Sequence, residues 1–306
     1  MNREHYSDYD DDATARCERA LVTLLGDLGP WSERIYLAGG LAPRYLVGRL
    51  PDGARAHVGT TDVDLVIGLA LGDETPETYR TLQNNLDTAL FKQSDVSFRW
   101  TREVDGISVV VEFLCETGEV EPGRIFRPKD EHTGSKLGAF NVRGAQFVRH
   151  DFVEREIEAE RLDVGGRSKV TVRVANLLPY TVRKILAFQD RHENKDAYDL
   201  VFTLLNAEGG PHTAGGRCSH SRIVKQERVA ESLTLLGERF RDVEQDGPSA
   251  YALFLAAPGD EDEKARLRQE PWRSGVSTRL QRNRIAPTSR SPRSALGPKA
   301  SARRCR

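Results

Sequence analysis

Residues 60–69 read Thr60-Thr61-Asp62-Val63-Asp64-Leu65-Val66-Ile67-Gly68-Leu69, two spaced acids followed by an aliphatic run. The run has the length and branched-residue content of a buried strand. Alternate residues of a strand face the same way, so Asp62 and Asp64 project together and Val63 points away. Two carboxylates held this close repel, and a divalent cation relieves the repulsion. Magnesium favours such oxygen ligands and completes its shell with water and substrate phosphates. Taken alone, the D-x-D pattern is more often a solvated strand end with two surface acids.

The segments on either side change that balance. Upstream, Arg34 to Ala38 (RIYLA) is a short strand entering Gly39-Gly40, and 41–50 reads as a helix with Leu41, Tyr45 and Leu46 on one face. A double glycine between strand and helix lets the backbone turn tightly and lets a phosphate approach the helix amides. Downstream, Ile107 to Leu114 (ISVVVEFL) is an apolar strand interrupted by Glu112. A charge inside a buried strand is costly unless it is paired or metal-bound. A strand edge facing water is the plainer reading of Glu112. Beside the 62–69 strand, however, it completes a cluster of three acids fronted by a glycine turn. Such a cluster suits a metal–nucleotide complex, in which two magnesium ions activate an attacking hydroxyl and neutralise a leaving pyrophosphate.

The rest of the chain fits an α/β pattern. A helix over 13–28 carries Leu21, Leu24, Leu25 and Leu28 at helical spacing and stops at Gly29-Pro30. A polar helix covers 76–92, and 98–100 is a strand joined to 107–114 through Asp105-Gly106. Residues 121–138 read as a loop, followed by strands over 139–148, 153–162 and 169–174, of which 153–162 reads equally well as a helix. From Leu178 the apolar period becomes helical, giving helices over 180–191, 195–205, 222–240 and 249–257, with 209–216 (GGPHTAGG) as a loop. The chain thus divides into a frayed acidic start (1–12), an α/β core (13–120), connecting strands and loop (121–174), a helical domain (175–258) and a basic, disordered tail (259–306).

Composition narrows the function classes. Of 306 residues, 38% are hydrophobic and 30% charged, and no apolar run is long enough to span a bilayer, which excludes a membrane-embedded protein. The opening carries Asp8, Asp10, Asp11 and Asp12 and no apolar segment, so it is no secretory signal. Cys17, Cys115, Cys218 and Cys305 are scattered with no C-x-x-C pair, which fits a reducing cytoplasm. The net charge of -1 conceals an asymmetry: residues 271–306 hold ten Lys/Arg and no acid, against 35 Lys/Arg and 46 Asp/Glu upstream, a formal -11. Such a tail suits RNA phosphates, and equally suits a disordered extension or an out-of-frame terminus. His212, Cys218 and His220 have odd spacing and lack a fourth partner, which argues against zinc. No G-x-x-x-x-G-K-[ST] occurs, which excludes P-loop chemistry.

Leu37-Ala38-Gly39-Gly40, Thr60-Thr61-Asp62-Val63-Asp64-Leu65 and Val111-Glu112-Phe113 together resemble the polymerase-β-type nucleotidyltransferase signature: a GG or GS turn, a downstream D-x-D and a third acid on a later strand. The resemblance implies a mixed β-sheet flanked by helices, and transfer of a nucleoside monophosphate from an NTP with Mg2+ or Mn2+. It implies that Asp62 and Asp64 bind metal, that Glu112 holds a second metal or acts as general base, and that Gly39, Gly40 and Thr61 lie against the nucleotide. The spacing departs from the compact signature, with twenty-one residues between Gly40 and Asp62, so 50–58 reads as an insertion.

Lys184 to Leu200 reads KILAFQDRHENKDAYDL. On the residues alone this is two exposed helices with ordinary salt bridges. The stretch is also similar to the AbiEii-type nucleotidyltransferase family, in which a K-x-x-A-x-x-x-R helix precedes a K-D-x-x-D-L helix. Lys184, Ala187 and Arg191 match the first element; Lys195, Asp196, Asp199 and Leu200 match the second. This resemblance implies a mostly helical domain behind the core and a catalytic Lys184 on the triphosphate, with Arg191, Lys195, Asp196 and Asp199 at the nucleotide site. It further implies a tRNA or protein acceptor and a cognate antitoxin, as for toxins of toxin–antitoxin pairs. The alternatives are a non-catalytic protein of the same fold that binds a nucleotide or partner, and an antibiotic nucleotidyltransferase acting on a small molecule.

Overall fold

The two-acid strand lies at the centre of a mixed nine-stranded sheet. The computed structural model describes residues 4–9, 12–26, 33–50, 52–67, 76–127 and 136–273. Its strands are β1 (Ile35–Ala38), β2 (Asp62–Ile67), β3 (Lys92–Gln93), β4 (Arg99–Val104), β5 (Ile107–Cys115), β6 (Ile125–Phe126), β7 (Ala139–Asn141), β8 (Phe152–Glu160) and β9 (Arg167–Ala175). Neighbours run β3-β4-β5-β2-β1-β9-β8, and β7 joins the sheet against β5 and β6. β2 is parallel to β5 and antiparallel to β1, which is itself parallel to β9. In the strands beside β2, Ile35, Tyr36, Leu37 and Ala38 of β1 and Val109, Val111, Phe113 and Leu114 of β5 are buried, as a covered central sheet requires.

α1 (Ala13–Leu25) packs across β8, β9 and β5, with Leu21, Val22 and Leu24 buried, and α3 (Pro76–Thr88) contributes Leu82 and Leu86 to the same core. Behind the sheet the chain is helical: α4 (Leu177–Arg191), α5 (Asn194–Asn206), α6 (Gly210–Ser219), α7 (Glu227–Arg239), α8 (Asp246–Leu255) and α9 (Glu261–Arg273). These helices enclose a second core around Tyr198, Phe188, Phe240 and Phe254. The architecture is therefore α/β, a mixed open sheet with many helices.

Several expectations need correcting. The helix expected over 41–50 is a single turn, α2 (Pro43–Leu46), because Val47 leaves it to bridge Ala207 and the Gly48 amide donates to Asn206. The strand expected over 139–148 stops at Asn141; Gly144 turns with φ +81° into a 3-10 segment, Ala145–His150. The GGPHTAGG loop is the body of α6, where Pro211 sits in the first turn, the position at which its missing N–H is harmless.

The chain's two ends also differ from expectation. The start, read as frayed, is pinned over 4–9: the Tyr6 hydroxyl donates to the Ala56 carbonyl, and Tyr6 and Tyr9 meet Tyr198 and Phe254 edge-on. The tail, read as disordered from 259, opens with α9, whose first turn carries Glu261, Asp262 and Glu263, well placed on a helix N-terminus. Leu267 is buried, and the Tyr251 hydroxyl donates to Glu270 at 2.8 Å. The chain therefore stays folded past 259, as far as the compositional break at 271. Residues 274–306, with nine of the tail's ten Lys/Arg, and Gly29-Pro30, Gly68 and Leu69 lie outside the described residues.

The long spacing between glycine turn and acids has a physical cause. Residues 52–60 strap the sheet to the helical core: Arg55 reaches the Leu255 carbonyl and Glu263, His57 reaches Asp199, and the Val58 amide donates to the Tyr198 hydroxyl at 3.0 Å.

Candidate active site

Strand register assembles the acids. In the antiparallel β1–β2 pair, Ala38 stands opposite Asp64, so the turn leaving β1 runs beside that carboxylate. Gly39 has φ +70°, and a Cβ there would lie 1.7 Å from Asp64 Oδ2, so only glycine fits. A Cβ on Gly40 would lie 2.7 Å from Thr60 Oγ1 and 3.2 Å from Lys195 Nζ. In the parallel β2–β5 pair, Asp64 stands opposite Glu112, which places both on the face that Asp62 also uses. Asp62, Asp64 and Glu112 line one cavity of about 690 Å³ with Gly39, closed on its far side by α4.

The electrostatics of this cluster are those of carboxylates crowded together on one face of the sheet. Burial, then the charges of Asp62 and Glu112, push the Asp64 carboxyl up to about 7. Glu112 is raised for the same first reason, and is partly relieved by Arg99, whose Nε and Nη2 reach Glu112 Oε1 at 2.7 and 2.6 Å. Arg99 and Glu112 face each other across β4–β5. The hydroxyl of Thr60, a buried residue, donates to Asp62. Among the described residues no three His, Cys, Asp or Glu side chains already stand in ligating geometry. Asp62 and Asp64, carboxylates on one face of the cavity, are the donor type that a hard divalent cation takes.

The second group of expected site residues forms a different structure. Lys184 is 7% exposed, and its ammonium lies 2.6 Å from Asp199 Oδ2 and 3.0 Å from Asp196 Oδ1. Arg191 forks onto Asp196 at 2.6 and 2.8 Å. Lys195 Nζ lies 3.0 Å from Asp199 Oδ2. His57 completes the set: the Gly59 amide donates to Nδ1, so Nε2 carries the proton and donates to Asp199 Oδ1 at 2.9 Å. Burial lowers the His57 pKa, in keeping with this neutral tautomer. Two carboxylates this deeply buried need partners, and the surrounding cations supply them. Asp199 accordingly sits well below the usual carboxylate range, held there chiefly by Lys184 and Lys195 against the opposing effect of burial.

Lys184, Arg191 and Asp196 line the cavity, but the charges of Lys184 and Arg191 are committed to α5 carboxylates rather than turned to a nucleotide. Lys195, Asp199 and Gly40 lie behind the cavity wall, joined to the same network. Thr61 is replaced by its neighbour: its carbonyl accepts from Val110 within the sheet, while Thr60 supplies the hydroxyl to Asp62.

Sequence reading passed over Thr60, His57, Arg99 and Arg183. Arg183 shares a helical face with Tyr180 and Ala187, three back and four on, and that spacing was the available signal. Of the residues considered for zinc, His212 and His220 are exposed and Cys218 is buried, all three in or at the end of α6. Cys17, Cys115 and Cys218 are free thiols in the core, with the Cys17 thiol donating to the Thr60 carbonyl at 3.4 Å. No helix among the described residues is long and apolar enough to cross a membrane. Comparisons with protein-family models, with curated proteins and with solved structures find no match to this chain.

Proposed function

We propose that this chain is a divalent-cation-dependent nucleotidyltransferase that moves an NMP from an NTP to an acceptor hydroxyl. The observation that carries the reading is the double register, Ala38 opposite Asp64 and Asp64 opposite Glu112, which sets a glycine turn and three carboxylates at the mouth of one cavity. Asp62 and Asp64 are the residues to hold Mg2+ or Mn2+, and a bound ion supplies charge neutralisation for the phosphates and a lowered pKa for the attacking hydroxyl. Thr60 fixes the orientation of Asp62 by its hydrogen bond. Gly39 leaves the space beside Asp64 open to a phosphate.

In the step itself, the acceptor oxygen bonds to the α-phosphorus, the α–β bridging P–O bond breaks, and pyrophosphate leaves with the bond's electrons. The acceptor proton passes to Glu112, which first gives up Arg99 as its partner. The acceptor we favour is a tRNA end or a protein hydroxyl, with the chain acting as the toxin of a toxin–antitoxin pair. The likeness of the 184–200 stretch to AbiEii-type proteins supports that part. The ion pair on Glu112 also favours a second reading, a resting or non-catalytic protein that binds a nucleotide without transferring it.

Incubation with each α-labelled NTP, Mg2+ or Mn2+, and total tRNA or protein tests the proposal. Wild type should label an acceptor and Asp64→Ala should not. Equal labelling by both refutes the site, and labelling by neither, with nucleotide binding retained, leaves the second reading in its place.

A further inference from the structure

Four cationic side chains line the cavity, and three of them are spoken for. Lys184 holds Asp196 and Asp199, Arg191 holds Asp196, and Arg143 holds Asp190, while Arg99, outside the lining, holds Glu112. Arg183 is the exception. It projects from α4 into the same cavity as Asp62, Asp64 and Glu112, yet among the described residues no hydrogen bond or ion pair reaches it. Its Nε is shut off from solvent with no acceptor. Burial lowers its pKa, and the charge of Asp64 is the largest influence opposing that. A guanidinium offers five donors in a planar fork that matches two phosphate oxygens at once. Leaving a partly buried one without a partner costs stability in the empty protein. A fold whose neighbouring cations are all neutralised keeps this charge for something that arrives.

Resting on the nucleotidyltransferase reading of this cavity, we infer that Arg183, and not the adjacent Lys184, takes the polyphosphate of the incoming substrate. Its ligand is a triphosphate or pyrophosphate anion carrying a divalent cation. The carboxylates meet the complex from the sheet side and Arg183 meets it from α4. Lys184 holds α4 to α5, and so fixes where Arg183 stands. Arg183 is a binding residue, whereas Lys184 positions it.

The test uses the full chain, with Mg2+-tripolyphosphate and a non-hydrolysable Mg2+-NTP analogue as probes in calorimetric titrations, beside thermal melts without ligand. Arg183→Gln should weaken both probes about tenfold or more, the loss of a charge-assisted bidentate contact. Arg183→Lys should recover part of that loss. Without ligand, Arg183→Gln should melt at or above the wild-type temperature, while Lys184→Gln should melt well below it. Unchanged tripolyphosphate binding by Arg183→Gln overturns the inference. So does a melting temperature that falls as far as for Lys184→Gln, since that marks a structural arginine. Wild type that binds neither probe overturns both the inference and the function beneath it. Arg183-dependent binding by a wild type that labels no acceptor upholds the inference and removes the transferase reading alone.

Discussion

Replacing Asp64 with asparagine should stabilise the protein without ligand, and should do so only above mildly acidic pH. The Asp64 carboxyl is pushed up to about 7 by burial and by Asp62 and Glu112, from an ordinary 3.8. The sign follows from proton binding. Between about pH 4 and pH 7 the native state holds a proton that the unfolded chain has released. Stability therefore falls as pH rises through that window, and the loss is complete above about 7. At about 1.4 kcal/mol per pH unit the ceiling is about 4 kcal/mol. The carboxyl lines a cavity where water and side-chain adjustment screen it, so about half of that, roughly 2 kcal/mol, is expected. Asparagine matches the shape and carries no charge. Urea denaturation should give equal stability for the two proteins near pH 4.5, with Asp64→Asn ahead by about 2 kcal/mol near pH 8. Saturating Mg2+ at pH 8 should close the gap by raising wild type alone, because ligand that binds only the folded state stabilises it. A variant no more stable than wild type at pH 8, or a gap that does not change with pH, refutes the reasoning that burial, Asp62 and Glu112 hold the Asp64 carboxyl up.

Lys184→Met should lose about 3 kcal/mol at neutral pH, since it leaves two buried carboxylates short of a partner. That deficit should shrink in acid, where Asp196 and Asp199, both held below the usual carboxylate range in wild type, take up protons; urea melts at pH 4 and 7 measure it. Gly39→Ala should cost about 1–2 kcal/mol through its left-handed φ of +70°. Its new methyl should also displace Asp64 and weaken Mg2+ binding, read by calorimetric titration of the metal.

The sheet was largely legible because its strands advertise themselves by burial. DVDLVI and ISVVVEFL are runs that only a covered strand accommodates, and period-two geometry then sets Asp62 and Asp64 on one face without further information. The pairing of Asp64 with Glu112 was not written there. It depends on β5 lying parallel to β2 in one register, and a shift of one residue would have turned Glu112 to the opposite face. Turn chemistry misled in the other direction. Gly209, Gly210, Gly215 and Gly216 read as a loop, yet Pro211 begins a helix there whose Ala214 and Cys218 pack inward. The short α2 was overextended because Leu41, Tyr45 and Leu46 do share a face, while the bridge from Val47 to Ala207 is a long-range contact that no local pattern reports.

The contrast between Arg183 and Lys184 is likewise invisible to local pattern, and it turns on charge balance. Adjacent helical residues differ by about 100° in direction, so both can border one cavity, and sequence spacing cannot say which faces a carboxylate. α5 settles it by presenting two acids, Asp196 and Asp199, at 1% and 0% exposure. Each buried carboxylate has several oxygen lone pairs to satisfy. Lys184, Arg191, Lys195 and the Nε2 proton of His57 all converge on those two groups. Once that demand is met, the cavity keeps three acids at its sheet end and, at its helical end, an arginine with no partner among the described residues. That distribution suits a guest carrying both signs of charge, a divalent cation and a polyphosphate, better than it suits either alone.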